Sequence, residues 1–251
     1  MHLIDTHCHL DDRRFDDDLA DVIKRAKSVG VDRFIVPSVY EEGWGKLSQI
    51  TKKHPSIHPA FGMHPWFCDR HSSEGLNKLG TYLDDAIAVG ECGLDFGKGR
   101  ASEEDQVKWL RPQLELADEK RLPVIIHAYK SLDQVLHELQ RFPNVQGVIH
   151  GFSGSQQQAD RCMDRGFYLG IGGVVTRKQA AKLRSVVTQM PLEYLLLETD
   201  APDQPGINHL GQRNEPAFII EIVNEIATIR GLKVTELVSA CNQNARELFA
   251  I

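Results

Sequence analysis

The sequence predicts an α/β fold, a (β/α)8 barrel of the TIM type. Eight short apolar runs of strand length alternate with longer amphipathic stretches. Near-continuous apolar runs are typical of parallel strands that are buried on both faces of a sheet. The chain has 251 residues, and barrels commonly reach about 250 residues as a single domain. We therefore expect one domain over residues 1–251.

The predicted strands are short and rich in Val, Ile, Leu or Phe. They are bounded by polar residues or glycine, so each reads as a separate element. They cover residues 3–5, 33–39, 57–62, 86–90, 123–127, 145–150, 167–171 and 194–198.

The predicted helices have apolar residues that repeat every three or four positions. Gly30 is expected to end the first helix, and Thr235 is expected to cap the last one. Ser155 and Gln158 have the spacing of a capping box at the start of another helix. The helical patterns cover residues 16–29, 103–120, 155–165, 177–189, 215–230 and 235–249.

An open doubly wound sheet is the alternative arrangement for a chain of strands and helices in alternation. No Gly-x-Gly-x-x-Gly segment follows the first strand, which weakens the prediction of a dinucleotide-binding sheet. The number of strands and the chain length favour the closed barrel. The longest irregular stretch, residues 200–212, is expected to form a loop over the end of the last strand.

The net charge of the chain indicates whether it could bind nucleic acid through its own Lys and Arg side chains. The chain has 29 Lys and Arg residues against 35 Asp and Glu residues, a net charge of −6. This balance argues against a protein that binds nucleic acid mainly through Lys and Arg, because those side chains supply the non-specific affinity. It does not exclude an enzyme that holds phosphates with metal ions.

The compartment is inferred from the cysteines and the N-terminus. The five cysteines form no C-x-x-C pair, and an odd number fits poorly with a disulfide framework. We expect buried thiols and a reduced, cytoplasmic chain. No signal peptide is expected at the N-terminus, and no run approaches the roughly 18 apolar residues of a membrane span.

Titratable side chains stand at the carboxyl ends of five of the eight predicted strands. That end of a barrel is where active sites are built, because the strand ends converge there. In order, they are His7 and His9 after the first strand, Glu91 at the end of the fourth, His127 at the end of the fifth, His150 at the end of the sixth and Asp200 after the eighth.

Singly, each of these residues has an ordinary explanation, such as a surface pair or a core histidine bonded to backbone. Together they would require polar groups to end five buried strands on the same side by accident. Buried charges persist when they are paired or bound to metal. We therefore predict a metal site at the carboxyl ends of the strands. Six ligands with one shared carboxylate suit two ions about 3.5–4 Å apart.

Other candidates lie near the same end of the predicted barrel. His64 follows the third strand and is expected to contact substrate or to orient a ligand. Arg213 is the main candidate for holding phosphate, because it precedes a predicted helix whose N-terminus favours anions. His209 lies in the loop after Asp200. Four further basic candidates are Lys98, Arg100, Lys130 and Arg177.

Six segments in this order resemble the TatD family of metal-dependent hydrolases and deoxyribonucleases, within the amidohydrolase-like superfamily. They are D-T-H-C-H-L, V-G-E-C-G-L-D, I-I-H-A, H-G-F-S-G, L-L-L-E-T-D-A-P and R-N-E-P-A, and they run from Asp5 to Ala217. The resemblance implies a (β/α)8 barrel and divalent-metal-dependent hydrolysis of phosphodiester bonds, with 3′ exonuclease action in some members. The family segment H-C-F reads H-G-F here, and the segment before R-N-E-P is less basic than is usual in the family.

The resemblance also implies a role for each ligand. His7 and His9 would hold the first ion, Glu91 would bridge both ions, and His127 and His150 would hold the second. Asp200 would be a ligand that also takes the proton of the attacking water. Apart from the resemblance, the leaving oxygen would be stabilised by the second ion or protonated by His64, and the residues do not decide between these two.

Three functions are carried forward. The first is a metal-dependent nuclease that acts on DNA or RNA, through two divalent ions that are Zn, Mn or Mg. The second is a hydrolase of an ester, amide or other small substrate with the same centre. The third is a non-catalytic metal-dependent binding module. No membrane association and no obligate protein partner are expected.

Overall fold

The computed structural model describes residues 2–251. Within this range the chain forms one sheet of eight parallel strands, in which each strand pairs with the next along the sequence. The strands are β1 (Leu3–Asp5), β2 (Val31–Ser38), β3 (Ile57–Phe61), β4 (Ala88–Asp95), β5 (Val124–Tyr129), β6 (Gly147–Ile149), β7 (Phe167–Ile171) and β8 (Leu195–Leu197).

Nine α-helices in the described range follow or connect these strands. They are α1 (Leu19–Ser28), α2 (Glu41–Lys53), α3 (Ser73–Tyr82), α4 (Glu103–Lys120), α5 (Leu132–Leu139), α6 (Gln156–Asp164), α7 (Ala181–Gln189), α8 (Ile219–Arg230) and α9 (Val234–Phe249). Short 3-10 helices cover Arg13–Phe15, Pro65–Arg70, Leu83–Asp85, Gly173–Thr176, Leu192–Tyr194, Ile207–His209 and Pro216–Phe218.

The predicted (β/α)8 barrel is confirmed, and the capping box at Ser155 and Gln158 is present at the start of α6. The prediction that Thr235 caps the last helix is wrong, because α9 begins at Val234 and its capping residue is Lys233. Helices α2, α3 and α5 were not predicted individually. The first two each contain two glycines, which lower helix propensity, and α5 has only eight residues.

The interior of the barrel is filled by one layer of apolar side chains from seven of the strands. The end of α9 packs against this layer and closes the barrel at the amino ends of the strands. The layer comprises Ile4, Ile35, Ala60, Ala88, Ile125, Val148 and Leu196, with Ala245, Leu248 and Phe249 from α9. A larger core lies between the strands and the surrounding helices.

The interior layer determines which residues face the site. Successive side chains of a strand point to opposite faces, so residues two apart share a face. His127 therefore lies above Ile125, and His150 lies above Val148, each one layer nearer to the carboxyl end. The floor of the site is apolar and its walls carry imidazoles.

Strand β4 departs from the predicted bounds. The sequence placed Glu91 at the end of a strand covering residues 86–90, but β4 continues to Asp95 and Glu91 lies in its middle. The pairing of β4 with β5 shifts register between Val89 and Cys92. Such an irregularity re-aims side chains. It brings Glu91 to the interior and leaves Cys92 in the outer core.

Strands β1 and β8 close the barrel through contacts just beyond their ends. The backbone N–H of Thr6 donates to the Leu197 carbonyl at 3.0 Å, and the N–H of Asp200 donates to the His7 carbonyl at 2.8 Å. The buried Asp5 carboxylate accepts hydrogen bonds from the hydroxyl and the N–H of Thr199, at 2.6 and 3.0 Å. This seam fixes the two chain segments that carry His7 and Asp200.

All five cysteines are free thiols, and four of them are buried. The cytoplasmic location expected from them stays a prediction. No helix in residues 2–251 has both the length and the apolar composition needed to cross a bilayer.

Candidate metal centre

The six predicted ligands meet at the carboxyl end of the barrel. His7 and His9 follow β1, Glu91 lies within β4, His127 lies in β5 and the other two follow β6 and β8. The backbone of Asp200 is left-handed, with a φ of 56°, a conformation that Asp tolerates better than most residues. Of the predicted ligands, His150 and Asp200 are buried, as are His7 and Glu91.

One group of donors surrounds the Oε2 atom of Glu91. The Nε2 atoms of His7 and His9 lie 3.3 and 3.5 Å from this oxygen. The same two nitrogens lie 3.6 and 3.4 Å from Oδ1 of Asp200, and 3.3 Å from each other. Two nitrogens and two carboxylate oxygens therefore converge on one point.

A second group surrounds the other oxygen of the same carboxylate. Oε1 of Glu91 lies 3.0 Å from Nδ1 of His127 and 3.0 Å from Nε2 of His150. Nε2 of His64 is 3.2 Å from the same oxygen. Glu91 thus presents one oxygen to each group of imidazoles, as a bridging carboxylate does.

The atoms behind the imidazoles decide which ring nitrogen carries a proton. Nδ1 of His9 lies 3.0 Å from the Pro37 carbonyl, which can only accept. Nε2 of His127 lies 2.8 Å from Oδ2 of Asp95. Each of these nitrogens therefore donates, and in the neutral ring the other nitrogen presents its lone pair to the site. A metal ligand needs such a lone pair, so the donor set fits divalent ions.

His64 has the opposite arrangement. Its Nδ1 accepts a hydrogen bond at 3.0 Å from the backbone N–H of Trp66. In the neutral ring the proton is therefore on Nε2, the atom that faces Glu91. By distance alone His64 groups with Glu91 and His127 as a possible ligand set, but its facing atom is a hydrogen-bond donor.

The carboxylates of the site stay ionised. Burial raises the pKa of Glu91, but the charges of His150, His64 and His7 outweigh it and hold that pKa well below its usual range. The pKa of Asp200 is likewise lowered, because a hydrogen bond from His9 and nearby imidazoles overcome burial. Burial lowers the pKa of His64 to about 4. The site therefore combines two anionic carboxylates with imidazole nitrogens, which is the chemistry of a cation site.

Two acids at this site were missed from the sequence. Oδ2 of Asp95 accepts from His127, and Glu198 lies with Oε1 3.5 Å from Nδ1 of His150. Both acids lie in segments quoted above, V-G-E-C-G-L-D and L-L-L-E-T-D. The signal was a second acid in the same segment as a predicted ligand. Asp95 follows Glu91, and Glu198 precedes Asp200. Gly170 makes room for Glu198, because a Cβ there would lie 2.0 Å from its Oε2.

Two of the predicted phosphate-binding residues, Arg213 and Arg177, bond to groups outside this cluster. Arg213 donates to both oxygens of Asp18, at 2.8 and 2.7 Å, and to Glu215 at 3.1 Å, and its guanidinium lies over the Phe15 ring. Arg177 donates to the Pro205 carbonyl. The role of Arg213 in substrate binding stays a prediction.

His209 stacks on Phe218, with ring centroids 3.5 Å apart. Arg100 lies over the indole of Trp66 at 3.9 Å, so this basic candidate is next to the imidazole cluster. Lys98 and Lys130 are exposed.

Known proteins are similar to this chain in sequence and in fold. Residues 4–250 match the family described as TatD related DNase. The metal-dependent hydrolase YjjV of Escherichia coli (strain K12) is 37% identical over 256 residues, which cover 99% of this chain and 98% of that protein. The 3′-5′ ssDNA/RNA exonuclease TatD of Erwinia billingiae (strain Eb661) is 32% identical over 263 residues, with 99% of each chain covered.

A solved structure also matches. The crystal structure of the TatD homologue YjjV from Escherichia coli K12 superposes with a TM-score of 0.93 and 35% identity, covering 99% of this chain and 98% of that one. The match extends over the strand ends that carry the histidines and acids. The chain therefore belongs to the TatD-related DNase family and is a metal-dependent hydrolase.

Proposed function

We propose that the protein is a nuclease that hydrolyses phosphodiester bonds of DNA or RNA with two divalent ions bridged by Glu91. The observation that carries the proposal is the position of the Glu91 carboxylate. Its two oxygens face two separate groups of nitrogen donors. Ions of Zn, Mn or Mg would suit a donor set that mixes imidazole and carboxylate.

The first ion would be held by His7, His9, Glu91 and Asp200. The second would be held by Glu91, His127 and His150. Three or four protein ligands to each ion leave positions for water and substrate. Such ions lower the pKa of a bound water to about 7 and stabilise charge on phosphoryl oxygens.

Asp200 would take the proton of the attacking water. Its Oδ1 faces the imidazoles, while its Oδ2 accepts from the side-chain amide of Gln204 at 2.7 Å. That amide holds the carboxylate in one orientation. A carboxylate in this position acts as a general base when it is within hydrogen-bond reach of the water.

His64 would donate a hydrogen bond to the leaving oxygen. Its Nε2–H points into the site because Nδ1 is occupied by the Trp66 N–H. This geometry favours a hydrogen-bond donor role for His64 over a ligand role. The sequence left open whether His64 or the second ion stabilises the leaving oxygen, and this geometry supports His64.

The substrate class is supported by a relative. The protein of Erwinia billingiae that shares 32% of its residues with this chain is named a 3′-5′ ssDNA/RNA exonuclease. Cleavage from a 3′ end is therefore part of the proposal. The net charge of −6 does not oppose it, because bound cations supply positive charge where the phosphate sits.

The test is to strip the protein of metal, add back Mg²⁺, Mn²⁺ or Zn²⁺ singly, and assay end-labelled single-stranded DNA, duplex DNA and RNA. We expect cleavage with at least one metal and none with the stripped protein. Absence of cleavage with every metal, together with hydrolysis of a small ester or amide, would favour the small-substrate hydrolase. Metal binding without any hydrolysis would favour a binding module.

A further inference from the structure

The large apolar side chains that are exposed are gathered at one end of the barrel. In the described range they are Val29, Trp66, Tyr129, Ile207 and Leu210. Four of the five lie at or beyond the carboxyl ends of strands, and Val29 alone lies at the opposite end. Exposed apolar groups gathered around a site mark a surface that binds something.

Trp66 is the member of this set nearest to the imidazoles. Its ring lies 5.5 Å from the His64 ring, nearly perpendicular to it. Its Nε1–H donates to Oδ2 of Asp95 at 2.6 Å, the oxygen that also accepts from His127. The indole is thus held in place although the residue is 48% exposed. Arg100 lies over the ring, and the exposed part of the indole is an apolar surface that a ligand can cover.

Tyr129 stands on the other side of the same acid. It is the register partner of Asp95 between β4 and β5, and 47% of it is exposed. It follows His127 by two positions, so both side chains belong to one face of β5. The two aromatic residues therefore flank the acid that supports the proposed ligand His127.

The surrounding charge favours a polyanion. Residues 96–102 and 129–131 contain Lys98, Arg100 and Lys130 and no acid, whereas residues 11–18 after β1 contain five Asp and two Arg. The Arg100 guanidinium lies 3.9 Å from the centre of the Trp66 ring, and the Lys130 ammonium lies 5.3 Å from the Tyr129 ring. Within residues 2–251, neither Lys98 nor Lys130 forms an ion pair. Cations beside exposed aromatics are the arrangement that binds single-stranded nucleic acid.

We propose that Trp66 and Tyr129 form a stacking platform for the unpaired bases next to the scissile phosphate, with Lys98, Arg100 and Lys130 contacting the neighbouring phosphates. This inference rests on the proposed nuclease function and adds a basis for specificity. A base can stack on the platform only when its face is not covered in a duplex. The platform therefore selects single-stranded ends and tolerates any base, because every base has a π-face.

The experiment compares two oligonucleotides of equal length and charge, one ordinary and one abasic at the two terminal nucleotides of the cleaved end. The enzymes are the Mn²⁺-loaded wild type, Trp66→Ala, Trp66→Phe, Tyr129→Ala and the control Val29→Ala. We expect Trp66→Ala to raise KM for the ordinary oligonucleotide by about 5- to 150-fold and to leave KM for the abasic one nearly unchanged.

Trp66→Phe distinguishes two roles of Trp66, stacking against a base and donating a hydrogen bond to Asp95. It keeps an aromatic face but removes the Nε1–H that Asp95 accepts. We expect it to keep most of the affinity for the ordinary oligonucleotide, and Val29→Ala to match the wild type on both substrates. An unchanged KM in Trp66→Ala, or equal losses on both substrates, would overturn the proposal.

A binding measurement tests whether bases stack on Trp66 even if no substrate is cleaved. Trp44 is buried and Trp109 is half-buried, so Trp66 is the exposed tryptophan in the described range. We expect the ordinary oligonucleotide to quench tryptophan fluorescence, the abasic one to quench it far less, and Trp66→Phe to lose the difference. Equal quenching by both would refute stacking. Quenching without cleavage would refute only the nuclease function.

Discussion

Nε2 of His127 and Oδ2 of Asp95 lie 2.8 Å apart, and this contact fixes which nitrogen of the ring faces Glu91. With the proton held on Nε2, the lone pair of Nδ1 is directed into the site. Asp95 acts through His127 and is a positioning residue. Burial raises its pKa, but hydrogen bonds from His127 and Trp66 outweigh burial and lower it, so the carboxylate stays ionised.

Asp95→Asn should weaken metal binding or turnover by about 10- to 100-fold, the usual effect of losing a group that orients a metal-bound histidine. The measurement is metal affinity by competition with a chelator, together with kcat. Asp164→Asn, at an exposed position in α6, is the matched control and should behave as wild type. Equal metal affinity and kcat in Asp95→Asn would show that the contact has no part in positioning His127.

The hydrogen bonds behind His64 and His127 predict different defects. His64→Ala should bind as much metal as wild type but lose turnover by about 10²- to 10³-fold, because a hydrogen-bond donor to the leaving oxygen is removed. His127→Ala should bind less metal, because a proposed ligand is lost. Metal content by elemental analysis distinguishes them. Loss of metal from His64→Ala would make His64 a ligand and contradict its assigned tautomer.

Asp200→Asn tests the general base. An amide still offers an oxygen to a metal ion but cannot take the proton of water. We expect retained metal content and a fall in kcat of about 10²- to 10⁴-fold, measured on labelled single-stranded DNA. Full activity in this variant would remove Asp200 from the proton transfer.

A stability prediction concerns Asp18, which joins α1 to the segment before α8. Hydrogen bonds from Arg213 and then Arg25 lower the pKa of Asp18 to about 2. A depressed pKa in the folded state means that the unfolded chain binds the proton first as pH falls. The contribution of Asp18 to the free energy of unfolding is therefore complete above about pH 5 and is lost as pH falls from about 4 towards 2.

Urea unfolding of Asp18→Asn and wild type at pH 7 and pH 3 measures this contribution. The variant should be less stable at pH 7, and the difference should narrow at pH 3. Asp164→Asn serves again as the control. A difference that is the same at both pH values would mean that the ionised carboxylate does not supply the stability.

The barrel could be predicted because its strands are buried on both faces, so each leaves an apolar run in the sequence. His127 and His150 could be placed because each directly ends such a run. Glu91 could be named but not located, since the register shift between Val89 and Cys92 leaves no local pattern. Asp95 was missed for the same reason, because it lay beyond the predicted end of the strand.

Contacts between distant segments were invisible to the sequence. Arg213 was expected to bind phosphate from its place before a helix, yet its guanidinium lies against Asp18, which is 195 residues away in the chain. The tautomer of His64 depends on the backbone N–H of Trp66, and a backbone contact of this kind has no signature in residue types. That the six predicted ligands lie at one end of the barrel was predictable, whereas the partners that orient them required coordinates.

The most direct test of the bridging role of Glu91 is the number of ions bound per chain. Metal-stripped wild type and Glu91→Gln are titrated with Mn²⁺ or Zn²⁺, and bound metal is counted, with Asp164→Asn as control. We expect about two ions per chain in wild type and at most one in Glu91→Gln, with loss of DNA cleavage. One ion per wild-type chain, or an unchanged count in Glu91→Gln, would contradict a centre of two ions bridged by this carboxylate.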